Sequence, residues 1–178
     1  QASEPTFLST STSTNSVMEN IFSLKQSLLE SSGSLEDKLN LALKLGCQVT
    51  ETDVGIISNI KGETYTVKSV HPIDIGLEIE TVFELGNTYC DLTYKKGELV
   101  TIDHMSRSEH KLHPCYKSFK IESYIGDVYR IENDIKGTIN FSSVPPREQV
   151  FSDKQKDFVQ FLAEWLGQAL EPRRQEYN

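Results

Sequence analysis

The chain has 178 residues, enough for one domain with a proper core and too few for two independent ones. Its hydrophobic content of 37%, charged content of 25% and formal net charge of -8 describe an ordinary soluble protein that would repel a nucleic-acid backbone. No apolar run approaches the ~20 residues that a membrane-spanning helix needs, so this fragment is expected to make no membrane contact.

Three cysteines, an odd number without secretory features, point to a reducing, cytoplasmic setting in which thiols stay free. The chain opens on Gln1 without an initiator methionine, as a piece cut from a longer protein would. Residues 1–16, rich in Ser and Thr, lack the apolar groups that would offset the entropy of ordering, and read as a linker. From Val17 the pattern changes. Val17, Ile21, Leu24 and Leu28 fall on one face of an N-terminal helix over 17–32 that ends at Ser31-Ser32-Gly33.

Ser34, three residues before Asp37, forms an N-cap, and Leu35, Leu39, Ala42, Leu43 and Cys47 make the stripe of a second helix. Cys47 lies on that stripe and reads as a small core hydrophobe. Next, VGIISNI and TYTVKSV, joined by Lys61-Gly62-Glu63, form an antiparallel hairpin ended by His71-Pro72, with His71 in a surface loop. A short extended segment around Thr81-Val82-Phe83 leads to a turn at Gly86-Asn87.

Residues 85 to 123 hold Cys90 and Cys115 and three of the four histidines, His104, His110 and His113. Asp91 to Tyr94 predicts a short helix, Leu99 to Ile102 a strand, and Pro114, tolerated at a first helical position, opens another short helix. A second hairpin follows, with arms Tyr124–Ile131 and Lys136–Ser142 joined at Glu132-Asn133-Asp134. After the Val144-Pro145-Pro146 loop, Ser152 and Gln155 form a capping box for a helix carrying Phe158, Phe161, Leu162, Trp165, Leu166 and Ala169 on one face. It ends near Pro172, where Arg173 and Arg174 complement the helix dipole, and 172–178 is a tail.

Two antiparallel hairpins separated by a polar excursion, with helices at both ends, imply an α+β fold: a central antiparallel sheet with the terminal helices packed on one face. Loops and short helices from 85–123 then cover a pocket on the other. Tyr89, Cys90, His104, His113, Cys115, Tyr116, Phe119 and Tyr124 are the expected lining, with Asn140 from the following strand. The H-x2-H-x-C spacing of His110, His113 and Cys115 offers zinc-compatible donors, but it is not a familiar zinc pattern and histidines often serve as hydrogen-bonding groups, so no metal is assigned.

The element order, closing in YIGDVYRIENDIKGTINFSS, a P-P loop and FSDKQKDFVQFLAEWLGQAL, resembles a GAF domain, over roughly 35–171 within a unit drawn at 34–171. TYCDLT and SEHKLHPCY are similar to stretches of GAF modules in bacterial sensor kinases. The resemblance implies a regulatory module of a larger signalling protein that binds a small molecule or responds to redox state. It also implies a homodimer through the terminal helices and an output domain in the same full-length chain; the ligand or cofactor is left unknown. The free methionine-R-sulfoxide reductases, also GAF proteins, imply an alternative in which Cys90 and Cys115 are a reactive pair and Glu122 an associated acid. Where those enzymes carry acids on the next strand, however, this chain has Asn140 and Ser142. A tetrapyrrole, bilin or haem, is a further alternative, but the bilin-attaching cysteine is typically followed by histidine and Cys115 by Tyr116. There is no NKFDE-type motif for a cyclic nucleotide. A non-catalytic sensory domain is therefore the expectation.

Overall fold

The computed structural model describes residues 20–172, so the 1–16 segment, the start of the first helix and the Arg173-Arg174 pair lie outside the described residues. Helix α1 covers residues 20–29. It is followed by α2 (Leu35–Thr50), β1 (Val54–Lys61), β2 (Thr64–His71), β3 (Val82–Glu84), α3 (Cys90–Lys96), β4 (Val100–Ile102), α4 (Pro114–Phe119), β5 (Ser123–Ile131), β6 (Asp134–Ser143) and α5 (Asp153–Ala169). The six strands form one sheet in the order β3-β2-β1-β6-β5-β4, and every neighbouring pair is antiparallel. The α+β architecture expected from the element order is thus present.

Local chemistry explains the element ends. Ser34 Oγ accepts from the Asp37 N–H at 3.1 Å and Asp37 Oδ2 from the Ser34 N–H at 3.3 Å, while Ser152 and Gln155 repeat the exchange at α5. Glu132 and Asn133 both adopt left-handed backbone (φ 52° and 73°), which makes a two-residue turn whose twist suits the strands. The strands therefore zip up to Asp134, and the three-residue turn read from the sequence is one residue too long. His71 terminates β2 instead of sitting in a loop, and Gly86-Asn87 belongs to a short 3-10 turn, Leu85–Asn87.

The period-2 alternation of the strands sorts the core into two clusters. On one face Ile57, Ile125, Ile139 and Phe141 meet Leu28 of α1, Ala42 and Leu43 of α2, and Phe158, Leu162 and Leu166 of α5. Each fully buried Leu or Phe contributes roughly 1.5–3 kcal/mol, so this layer anchors the helices to the sheet. Cys47 is buried in it, and burial pushes its thiol up to about 11, in line with a core residue. On the other face Ile60, Tyr65, Val67, Val70 and Tyr124 lie under Leu85, Tyr89, Cys90, Met105 and Cys115 of the excursion. The 144–151 loop is latched by Arg147, which donates to Thr50 O at 2.8 Å and stacks on Phe151 at 4.1 Å.

Asp127 of β5 faces the C-terminal half of α5 and is held, mainly by burial, up to about 6, with Arg130 opposing and Glu98 adding to the rise. A carboxyl whose folded pKa exceeds its unfolded one favours the protonated native state, so its contribution is fully present below about pH 4 and lost as pH climbs through 6. Asp127→Asn is expected to stabilise the domain by about 1 kcal/mol at pH 7.5, allowing for solvent screening, and by nothing at pH 4. Urea unfolding at the two pH values checks this.

Candidate functional site

A cavity of about 520 Å³ lies between the sheet and the excursion. Its floor follows from strand alternation: Val54 and Ile56 of β1, Tyr65 of β2, Tyr124 of β5 and Asn140 and Ser142 of β6 face it, while Gly55, Ile57, Ile125, Ile139 and Phe141 turn to the helices. Its cover comes from the ends of short helices. Tyr89 and Cys90 stand at the start of α3, and Cys115 and Phe119 belong to α4, whose first residue, Pro114, brings no backbone N–H that would need a partner there. Ile75, Leu77 and Phe83 close one side, and Asp53 stands on the rim.

The lining is mostly apolar; besides tyrosine hydroxyls and cysteine thiols its buried polar side chains are Asn140 and Ser142. Asn140 Nδ2 donates to Cys90 Sγ at 3.1 Å and to the Tyr65 hydroxyl at 3.5 Å, and the Cys90 thiol donates to that hydroxyl at 3.7 Å. The Tyr124 hydroxyl donates to Cys90 Sγ at 3.5 Å and lies 2.7 Å from Thr93 Oγ1. Burial is the main reason that both tyrosine hydroxyls and the Cys90 thiol are pushed up and stay protonated. Cys115 is likewise pushed up to about 12, with a hydrogen bond to the Tyr89 backbone opposing burial. The three cysteines are free thiols.

Of the residues picked from the sequence, Tyr89, Cys90, Cys115, Phe119, Tyr124 and Asn140 border the cavity; His104, His113 and Tyr116 do not. His113 is the N-cap of α4: its Nδ1 accepts from the Cys115 N–H at 3.1 Å and its ring packs edge-on to Tyr89 at 5.3 Å. His104 Nε2 lies 3.3 Å from Glu122, which also accepts from the Ser106 N–H and hydroxyl at 3.0 and 2.9 Å, so both hold the 105–107 turn in place. Tyr116 lies under the Lys120 ammonium at 5.1 Å. His110 pairs with Glu109, and no group of three or more metal-ligating side chains occurs among the described residues. In this loop-rich cover the imidazoles of His104 and His113 serve as a brace and a cap. Sequence reasoning missed Tyr65, Val54 and Ile56, whose place was readable from the alternation of the first hairpin once its inward face was known.

The GAF domain family model matches residues 34–170. Among solved structures, the chain is similar to the GAF domain of an Acinetobacter phosphoenolpyruvate-protein phosphotransferase, at 18% identity and TM-score 0.66, covering 86% of this chain and 91% of that one. It is also similar to the chromophore-binding domain of Stigmatella aurantiaca phytochrome P1, at 14% identity and TM-score 0.68, covering 96% of this chain but 62% of that one. A third is the free methionine-R-sulfoxide reductase of Neisseria meningitidis in complex with its substrate, at 13% identity and TM-score 0.67, covering 90% and 91%. At such identities the likeness shows the fold alone. No curated protein matches the chain in sequence.

Proposed function

This chain belongs to the GAF domain family, and from that premise we propose that it is a non-catalytic regulatory module that senses a small molecule in the cavity under residues 85–123. The observation that carries the reading is the cavity itself: about 520 Å³, largely apolar walls and a few convergent polar groups around Asn140, which is the usual make-up of a small-molecule site. A ligand held there touches α3, α4 and the 75–77 segment at once, so unequal binding to two arrangements of the cover would bias them. A fluorescence-detected thermal shift screen of uncharged and charged metabolite fractions tests this. A saturable rise in melting temperature is expected, and its absence from every fraction would sink the proposal.

The thiol-enzyme alternative has less support. Attack on a sulfoxide needs a thiolate, and burial pushes both Cys90 and Cys115 up. Asn140 stands where an acid would serve, and Glu122 is engaged by His104 and Ser106. Reduced protein given free methionine sulfoxide and a thiol reductant is expected to show no turnover. The same raised thiols favour recognition over a redox response. A tetrapyrrole fits poorly as well, since its propionates call for cations and no Lys, Arg or His among the described residues borders the cavity.

Signal output is proposed to pass through a homodimer of the terminal helices. Most of the α5 stripe is spent on its own sheet, but Phe22 and Leu29 of α1 are 67% and 58% exposed on a helix whose other side packs on the core. Phe22→Glu is expected to shift the sedimentation profile from dimer to monomer. An unchanged profile would leave the helices without that role. No helix among the described residues is long and apolar enough to cross a membrane.

A further inference from the structure

The Asn140–Tyr65 pair at the cavity wall is not fully used by the protein itself, and what remains unused defines a ligand. Asn140 commits its amide N–H groups to Cys90 Sγ and the Tyr65 hydroxyl, yet its Oδ1 receives no hydrogen bond from any described residue and is not among the sealed, unpartnered atoms. Tyr65 accepts from Asn140, and the acceptors near its own hydroxyl proton are Cys90 Sγ at 3.7 Å, a long and weak one, and the Ser58 hydroxyl, which already pairs with Thr138. One open acceptor and one weakly held donor, on residues only 4% and 3% exposed, thus stand side by side at the wall of a largely apolar cavity. Leaving such groups unpaired or weakly paired is costly, and a ligand bearing the complementary pair relieves that cost.

Charge narrows the class further. Among the described residues, Asp53 on the rim is the one charged residue bordering the cavity, and no cation borders it. An anionic ligand would lose its hydration and meet only a carboxylate, whereas an uncharged one pays neither penalty. The mouth adds apolar surface, since Ile75, Phe119 and Val144 border the cavity while 41%, 48% and 57% exposed.

We infer that the cavity takes an uncharged, largely apolar molecule carrying an adjacent hydrogen-bond donor and acceptor, as in a lactam or amide, with its donor to Asn140 Oδ1 and its acceptor to the Tyr65 hydroxyl. This rests on the small-molecule reading above and specifies its chemistry. Three probes test it in titrations of isotope-labelled protein followed by NMR: 2-quinolinone, a neutral bicyclic lactam; naphthalene, which lacks the polar edge; and quinoline-2-carboxylate, which is anionic. The amide signals of Cys90 and Asn140 should move with 2-quinolinone, and the carboxylate should bind at least tenfold more weakly, as a lost charge-compatible contact of ~1.4 kcal/mol or more implies. Tyr65→Phe and Asn140→Leu should each weaken 2-quinolinone by roughly threefold to tenfold, the loss of about one net hydrogen bond, while Tyr65→Phe leaves naphthalene binding unchanged. Asp53→Lys, a change at an exposed rim position, should strengthen carboxylate binding without affecting the lactam. Equal binding of carboxylate and lactam, or no effect of both wall variants in proteins that unfold normally, overturns the assigned ligand class and leaves the sensing role standing. Failure of all three probes to bind overturns both.

Discussion

Replacing Gly137 by alanine should cost the domain roughly 3–5 kcal/mol, a large part of the stability of an ordinary domain. A Cβ on Gly137 would lie 1.9 Å from Ser58 O and 2.9 Å from Tyr129 Cε1. Ser58 O is also the acceptor of the Tyr129 hydroxyl at 2.8 Å, so the methyl would collide with a main-chain oxygen and displace its partner. Neither can yield cheaply. Ser58 lies in β1 beside β6 at the centre of the sheet, and its hydroxyl is 2.7 Å from Thr138 Oγ1. Urea unfolding should show a sharply lowered midpoint or no folded baseline. Gly86→Ala, where the added methyl meets nothing within 4 Å, should differ from the parent by ~0.5 kcal/mol or less. Equal effects of the two substitutions would mean that the approach of Gly137 to Ser58 matters little.

Gly126→Ala should spare the fold and disable the cavity. Here the added Cβ would lie 2.3 Å from the Tyr124 hydroxyl, the movable tip of a side chain instead of backbone. Tyr124 would swing away, breaking its 2.7 Å contact with Thr93 and its 3.5 Å contact with Cys90, at about 1–3 kcal/mol. Two readouts separate this from general destabilisation. Affinity for a cavity ligand should fall at least tenfold, about 1.4 kcal/mol, and labelling of Cys90 by a thiol reagent, mapped by mass spectrometry, should quicken while that of core Cys47 does not. Matched rates at Cys90 in parent and variant would show that Tyr124 does not seal the thiol.

These two glycines also illustrate what could be read without coordinates. Both stand out in YIGDVYRIENDIKGTINF as places where backbone must bend or closely approach something, but nothing in the string says that one meets a main-chain oxygen and the other a tyrosine hydroxyl. The capping boxes at Ser34 and Ser152, the α5 stripe and both hairpins were legible because they depend on residues three or four apart or on strict alternation. The turn at Glu132-Asn133 was misjudged by one residue because the left-handed backbone of two non-glycine residues leaves little trace in composition.

The candidate site divides in the same way. Local sequence determined that Tyr89, Cys90, Cys115 and Tyr124 fall in or beside a polar excursion between hairpins, and that the next strand carries Asn140 and Ser142, not acids. Tertiary structure alone decided which side chains share a wall. Tyr65, 25 residues from Cys90, and Asn140, 50 residues from it, meet that thiol only because β2, β1, β6 and β5 are neighbours in one sheet. Conversely His104 and His113, chosen for their chemistry, were drawn off by nearer partners, a carboxylate and a helix N-terminus. Side-chain type and spacing set what a residue is able to do; the contacts that sheet order and helix ends bring within hydrogen-bond range select which of those capacities is used.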